Sequence, residues 1–345
     1  MPRRTVSREL AFNPSPMGWE CGLSGHSQSK CPARVLIPNQ LVSKVMRKQA
    51  EQPKQDKAQV TFSAIAFALA ALAASMVFLD DRVILGEPLW MKPFKFFLSA
   101  SLMGLTLAYL VPRVENGGRR VKLLSYAIIL SLSVELVLIS GAAVFETTSH
   151  FNVSSPLAIA IWGAMATFIS IVWLATIALG VLFLRGAGTD PHIRAGFLWG
   201  IGISLLGMAV AFLMTGPTEA QLSDWQGIAG AHTVGGNDGG PGIPLFGWST
   251  VAGDLRVAHF FGLHALQGLP LFAVLARALR LSPRIITIFG LGYLSLFVVL
   301  TVQALSGESV ASPSEPTVWA FAAIGVIVGF ALLSSIITSR VKLDN

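Results

Sequence analysis

Residues 318–338 read VWAFAAIGVIVGFALLSSIIT, with no charged side chain in the run. An apolar stretch of about 20 residues is what a helix needs to cross roughly 30 Å of hydrocarbon. Seven comparable runs precede it, at 60–79, 90–111, 123–145, 157–184, 195–215, 257–276 and 285–305. Backbone amides in lipid have no water to bond, so each run is expected as a helix rather than as a loop or an open strand. The expected fold is therefore all-α, a polytopic transmembrane helix bundle of eight spans.

Composition points the same way. Hydrophobic residues make up 53% of the chain and charged residues 12%, against about 25% charged in an ordinary soluble domain. The formal charge of +7 sits mostly in the N-terminal tail and in short loops beside the runs, which speaks against a nucleic-acid surface. The two cysteines, Cys21 and Cys31, both fall in the tail, so no disulfide framework holds the membrane part. Pro88, Pro112, Pro156, Pro191, Pro283 and Pro316 mark run boundaries, where proline is tolerated. Pro270 lies inside the sixth run and is expected to kink it, freeing a backbone carbonyl.

Basic residues orient the bundle. With the N-terminus in the cytoplasm, the inner segments hold Arg113, Arg119, Arg120, Lys122, Arg185, Arg194, Arg277, Arg280, Arg284, Arg340 and Lys342. The outer ones hold Arg82, Lys92, Lys95 and Arg256, with most of the acidic residues. Both termini are expected to be cytoplasmic, in a bacterial inner membrane. Residues 1–58 read as a disordered basic tail, with Met46 as an alternative start. Cys21, His26 and Cys31 offer three ligands where a structural zinc site wants four. Residues 59–340 form the membrane domain.

No P-loop, G-x-S-x-G or H-E-x-x-H motif occurs. The run GGNDGGPG at 235–242 lacks the lysine of a phosphate loop and reads as a flexible outer segment. It belongs to a long outer loop, about 216–255, with Trp225, Phe246 and Trp248 placed to fold over the helix ends as a lid.

Candidate chemistry lies in the polar residues at hydrocarbon depth, which are costly and face the interior or a cavity. Glu135 sits near the middle of the third run. Glu146 is eleven residues on and His150 four further, so a continuing helix would line all three along one stripe. In the sixth run, with Arg256 at zero, Gln267 falls near 20°, His264 near 80° and His259 near −60° on a wheel of about 100° per residue. His259 and His264 are too far apart on that wheel for an i, i+4 metal pair, but each can meet another helix. Lys92 and Lys95 share a face at the outer end of the second run. They either snorkel to the interface or turn inward with Arg256 as a cationic patch.

The strings LGEPLWMKPFKFFLS (85–99), SHFN (149–152) and GWSTVAGDLRVAHFFGLHALQ (247–267) resemble those of a family of bacterial multi-span inner-membrane proteins with no assigned function. The resemblance covers roughly residues 75–305. It implies the membrane setting and no reaction, cofactor or catalytic residue.

Three functional readings stand open. One is a haem- or metal-binding redox protein with His150, His259 and His264 as ligands, and with Lys92, Lys95 and Arg256 pairing propionates or a quinone oxygen. Another is a proton-coupled transporter or permease using Glu135. The third is a membrane assembly or sensory component without turnover. The lipid bilayer is the one partner the sequence implies.

Overall fold

The computed structural model describes residues 57–114, 117–186 and 190–344. The Cys21–His26–Cys31 motif and the alternative start at Met46 lie outside the described residues. The chain order is α1 (Lys57–Leu79), β1 (Val83–Ile84), β2 (Glu87–Pro88), α2 (Met91–Leu110), a 3-10 turn (Val111–Arg113), α3 (Gly118–Val144), α4 (Pro156–Gly186), α5 (Pro191–Leu213), α6 (Glu219–Ser223), β3 (Thr233–Val234), β4 (Gly253–Asp254), α7 (Leu255–Ala278), α8 (Arg284–Leu305) and α9 (Glu315–Asp344). Among the described residues, eight helices are long and apolar enough to cross a bilayer, every one except α6. Each sequence run maps onto one of them, with ends moved by a few residues. The protein is an all-α polytopic membrane bundle.

Prolines and caps set several helix starts. Asp190 accepts from His192 N (3.0 Å) and Ile193 N (3.1 Å), with Pro191 opening α5 behind it. An even number of crossings brings Lys57 and the end of α9 to one face. The opposite face carries the hairpin β1–β2, the α3–α4 loop and the long segment 216–252, and is called the lid face below.

Helix contacts in lipid gain little from hiding apolar surface, because lipid tails are as apolar as leucine; close backbone approach does the work instead. The α5–α7 pair shows this. A Cβ on Gly207 would stand 2.6 Å from Gly262 Cα, and one on Gly200 would stand 2.9 Å from the Ala265 carbonyl oxygen. Pro270 fits the same groove: a Cβ on Gly196 would lie 3.1 Å from its Cα. The bulky ring inside α7 is thus housed by two glycines of its neighbour. On the other side, α1 joins α2 through small residues and paired hydroxyls: Ser63 Oγ donates to the Ser101 carbonyl (2.8 Å) and Ser101 Oγ to the Ser63 carbonyl (3.0 Å).

The lid is folded. Strands β3 and β4 pair antiparallel, Thr233 opposite Asp254. Ala229 N donates to the Phe151 carbonyl and Val153 N to the Gly227 carbonyl, both at 2.8 Å, stitching the lid to the α3–α4 loop. Gly86 of the hairpin touches it too; a Cβ there would stand 3.1 Å from the Gly239 carbonyl oxygen.

One expectation fails here. Helix α3 does not carry on through Glu146 to His150. It ends at Val144, Thr147 N turns back onto the Ala142 carbonyl (2.9 Å), and Glu146 takes φ +53°. The single stripe of Glu135, Glu146 and His150 along one helix therefore does not exist.

Candidate functional site

Glu87, at the mouth of α2, is the hub of a charged collar. It accepts from Lys95 Nζ at 2.9 Å and lies 3.6 Å from an Arg256 nitrogen. Lys95 also donates to the Phe246 carbonyl (3.0 Å). Arg256 forks onto Asp254, Nε to Oδ1 at 3.0 Å and Nη2 to Oδ2 at 2.7 Å, and donates to the Gly247 carbonyl. Such two-point pairing fixes direction as well as charge. The Asp254 side chain is fully buried; it also accepts from Ser249 N (2.8 Å) and caps α7 through Arg256 N (3.0 Å). Four parts of the chain, the hairpin, α2, α7 and the lid, are bound together through these groups.

Further out, Arg82 meets Asp80 and Glu146, each at 2.7 Å. The Arg82 guanidinium, with the Trp90 indole behind it, holds the Asp80 carboxyl well below the usual carboxylate range.

Lys92 is different. Its ammonium donates to His150 Nδ1 at 3.1 Å, and Ser149 Oγ lies 2.9 Å from the same nitrogen. A lysine ammonium only donates, so Nδ1 is the acceptor and the ring proton sits on Nε2. Aromatic rings wall the pair: Phe96 at 6.1 Å, Phe151 at 6.1 Å and Trp162 at 5.5 Å from the imidazole centroid. The ammonium also stands 5.9 Å from the Phe96 ring centre. Phe151 holds φ +66°, a backbone region that bulky residues rarely adopt, and its carbonyl accepts from Ala229 N of the lid at 2.8 Å. Burial pushes the His150 imidazole well below its ordinary range, and the charges of Lys92, His232 and His259 add to this. The ring is neutral at pH 7.

Sequence reasoning missed His232 and its partner. His232 Nδ1 donates to Asp238 Oδ2 at 2.8 Å. Asp238 also accepts from Thr233 N (2.9 Å) and Thr233 Oγ1 (2.7 Å). Burial works against the Asp238 charge, yet the hydrogen bonds led by His232 hold its carboxyl below the usual range. Burial pushes His232 downward against the pull of Asp238. The supposedly flexible GGNDGGPG run is the turn that makes this pair: Gly235 (φ +77°) and Gly239 (φ +84°) fold Asp238 back. An Asp inside a glycine turn six residues after a histidine is the signal that was available.

Of the residues singled out from sequence, Lys92 and His150 meet directly, and Lys95 and Arg256 stand beside them. His259 Nδ1 donates to the Gly207 carbonyl (2.7 Å). His264 bonds Gln267 (3.2 Å), whose amide donates to Thr106 Oγ1 (3.2 Å), bracing α7 to α2. Glu146 stands outside the site against Arg82, its side chain 61% exposed. Glu135 is buried, 5% exposed, and its Oε1 has no hydrogen-bond partner. Lys92 is the charge that acts on it. Among the described residues, no group of three or more His, Cys, Asp or Glu is arranged to hold a metal ion. His150, His259 and His264 each bond a separate partner rather than turning to a common centre.

Fold and site together define a multi-pass helical membrane protein with a polar site closed by an ordered lid. No family model, no curated protein and no solved structure matches the chain.

Proposed function

We propose that the protein is a permease-type binding protein of the bacterial inner membrane, with both termini cytoplasmic and the lid in the periplasm. Its ligand is a small organic anion with a flat apolar body. One observation carries this reading. Among the described cations of the lid face, Arg82, Lys95 and Arg256 each meet a carboxylate, whereas Lys92 meets an imidazole. A cation held at the membrane boundary with no carboxylate in direct contact is a costly arrangement, and its hydrogen-bonding capacity is one a ligand anion can use. Phe96, Phe151 and Trp162 supply apolar rings beside it. The orientation rests on the excess of Lys and Arg in the segments at the opposite face.

The probe is 1-naphthoate, titrated calorimetrically into detergent-purified protein. Lys92→Met should weaken binding by about tenfold to a hundredfold, the range of a charge-assisted hydrogen bond. Arg82→Met, which removes the two outer pairs with Asp80 and Glu146, should leave binding unchanged. Equal affinity in wild type and Lys92→Met would reject the assignment.

A further inference from the structure

We infer that Glu135 takes up one proton together with each anion bound at Lys92, so that anion and proton occupy the bundle as a neutral pair. This rests on the anion-binding reading above and adds the co-ligand.

The argument is one of charge balance. Lys92 is acted on by Arg256, Lys95, Glu87 and Asp238. Lys95 and Arg256 are already matched by Glu87 and Asp254, and Asp238 is held by His232 and Thr233. Of these groups, Lys92 is the cation with no carboxylate in contact and Glu135 the carboxyl with an oxygen that has no hydrogen-bond partner. Glu135 lies nine residues before the end of α3, about 13 Å below it at 1.5 Å per residue. The elements packed against α3 are α1, α2, α4 and the 3-10 turn. Their other ionisable side chains are Lys57, Lys95, Tyr109, Arg113 and Arg185, and of these all but Lys95 sit toward the opposite face. Along α3 itself, Arg119, Arg120, Lys122 and Tyr126 lie at that far end as well.

With Lys92 charged and Glu135 ionised, the pair is neutral before ligand arrives. An arriving monoanion makes two negative groups against one ammonium. Net charge is costly at this depth, and Glu135 is the buried group with an oxygen free to take the compensating proton. The proton comes from water at the lid face and forms an O–H bond on the carboxylate. No covalent bond to the anion forms, and nothing is oxidised or reduced. Linkage makes the effect reciprocal: anion affinity should fall about tenfold per pH unit where the proton is taken up.

Titration of 1-naphthoate in two buffers of different ionisation enthalpy reads the protons directly. Wild type should take up about one proton per naphthoate, and menadione, a neutral naphthoquinone of similar shape, should take up none. Difference infrared spectroscopy on wild type should show a protonated carboxyl band growing as naphthoate is added, a readout that needs no variant. Glu135→Gln should bind naphthoate with no proton uptake and with pH-independent affinity. Binding without proton uptake in wild type, or uptake persisting in Glu135→Gln, overturns the inference while leaving the anion site standing. Failure of naphthoate to bind wild type overturns both.

Discussion

Gly207→Leu should be among the most damaging single substitutions in the bundle. The protein is expected to lose its monodisperse peak in detergent and to melt far below wild type. The reason is distance. A Cβ at Gly207 would stand 2.6 Å from Gly262 C and Cα and from Leu263 N, all of them backbone atoms that no rotamer change can move. Overfilling an ordinary core costs about 1–3 kcal/mol, with neighbouring side chains giving way. Here the helices themselves must part, so the cost should exceed about 3 kcal/mol. Separation also breaks the hydrogen bond from His259 Nδ1 to the Gly207 carbonyl (2.7 Å) and lifts Pro270 out of the groove formed by Gly196 and Gly200. Gly207→Ala should fall between the two. Gly202→Leu is the internal control, since a Cβ there meets nothing within 4 Å on the same helix. Should Gly207→Leu melt with Gly202→Leu, close packing at this crossing is not what holds α5 to α7.

The eight spans were legible because lipid imposes a length and a composition on any helix that crosses it, and a window of sequence carries both. The rare ionisable groups within those spans were legible for the same reason. What they touch was not. Lys95 and Arg256 meet at Glu87, 8 and 169 positions away in the chain, and no period of helix or strand links those positions. The stripe from Glu135 through Glu146 to His150 failed on a local event, the turn at Glu146 with its positive φ. That turn sends Glu146 out to Arg82 and lets the loop carry His150 back over Lys92. His232 and Asp238 escaped notice because glycine-rich sequence signals conformational freedom without saying what the freedom is used for. The α5 glycines at 196, 200 and 207 carried a readable signal, spacing that puts small residues on one helix face.

Acidification should loosen the lid. His150 and His232 lie outside the spans, and burial depresses the proton affinity of both. The closed protein therefore binds fewer protons than a state in which these rings reach water, where histidine titrates near about 6.5. Stability of the closed lid is fully present above that value and falls as pH drops below it, until the depressed value of the closed state is reached. For His150, pushed well down, each pH unit in that window removes about 1.4 kcal/mol. Asp238 has the same sign in a lower window. Its carboxyl is also depressed, so its contribution is intact through the histidine range and is lost only as pH falls below the ordinary carboxylate value. Hydrogen exchange of peptides spanning 228–254, corrected for chemical exchange rate, should show protection falling between about pH 7.5 and about pH 5.5. The His150→Gln, His232→Gln double variant should flatten that dependence, although its lid starts from lower protection. Protection that is the same at both pH values in wild type, or a pH dependence that survives in the double variant, would show that these two imidazoles do not govern the lid. Since His150 Nδ1 accepts from Lys92, protonating the ring also sets two cations against each other at the site. Lid release and loss of that hydrogen bond should then occur together over the same pH range.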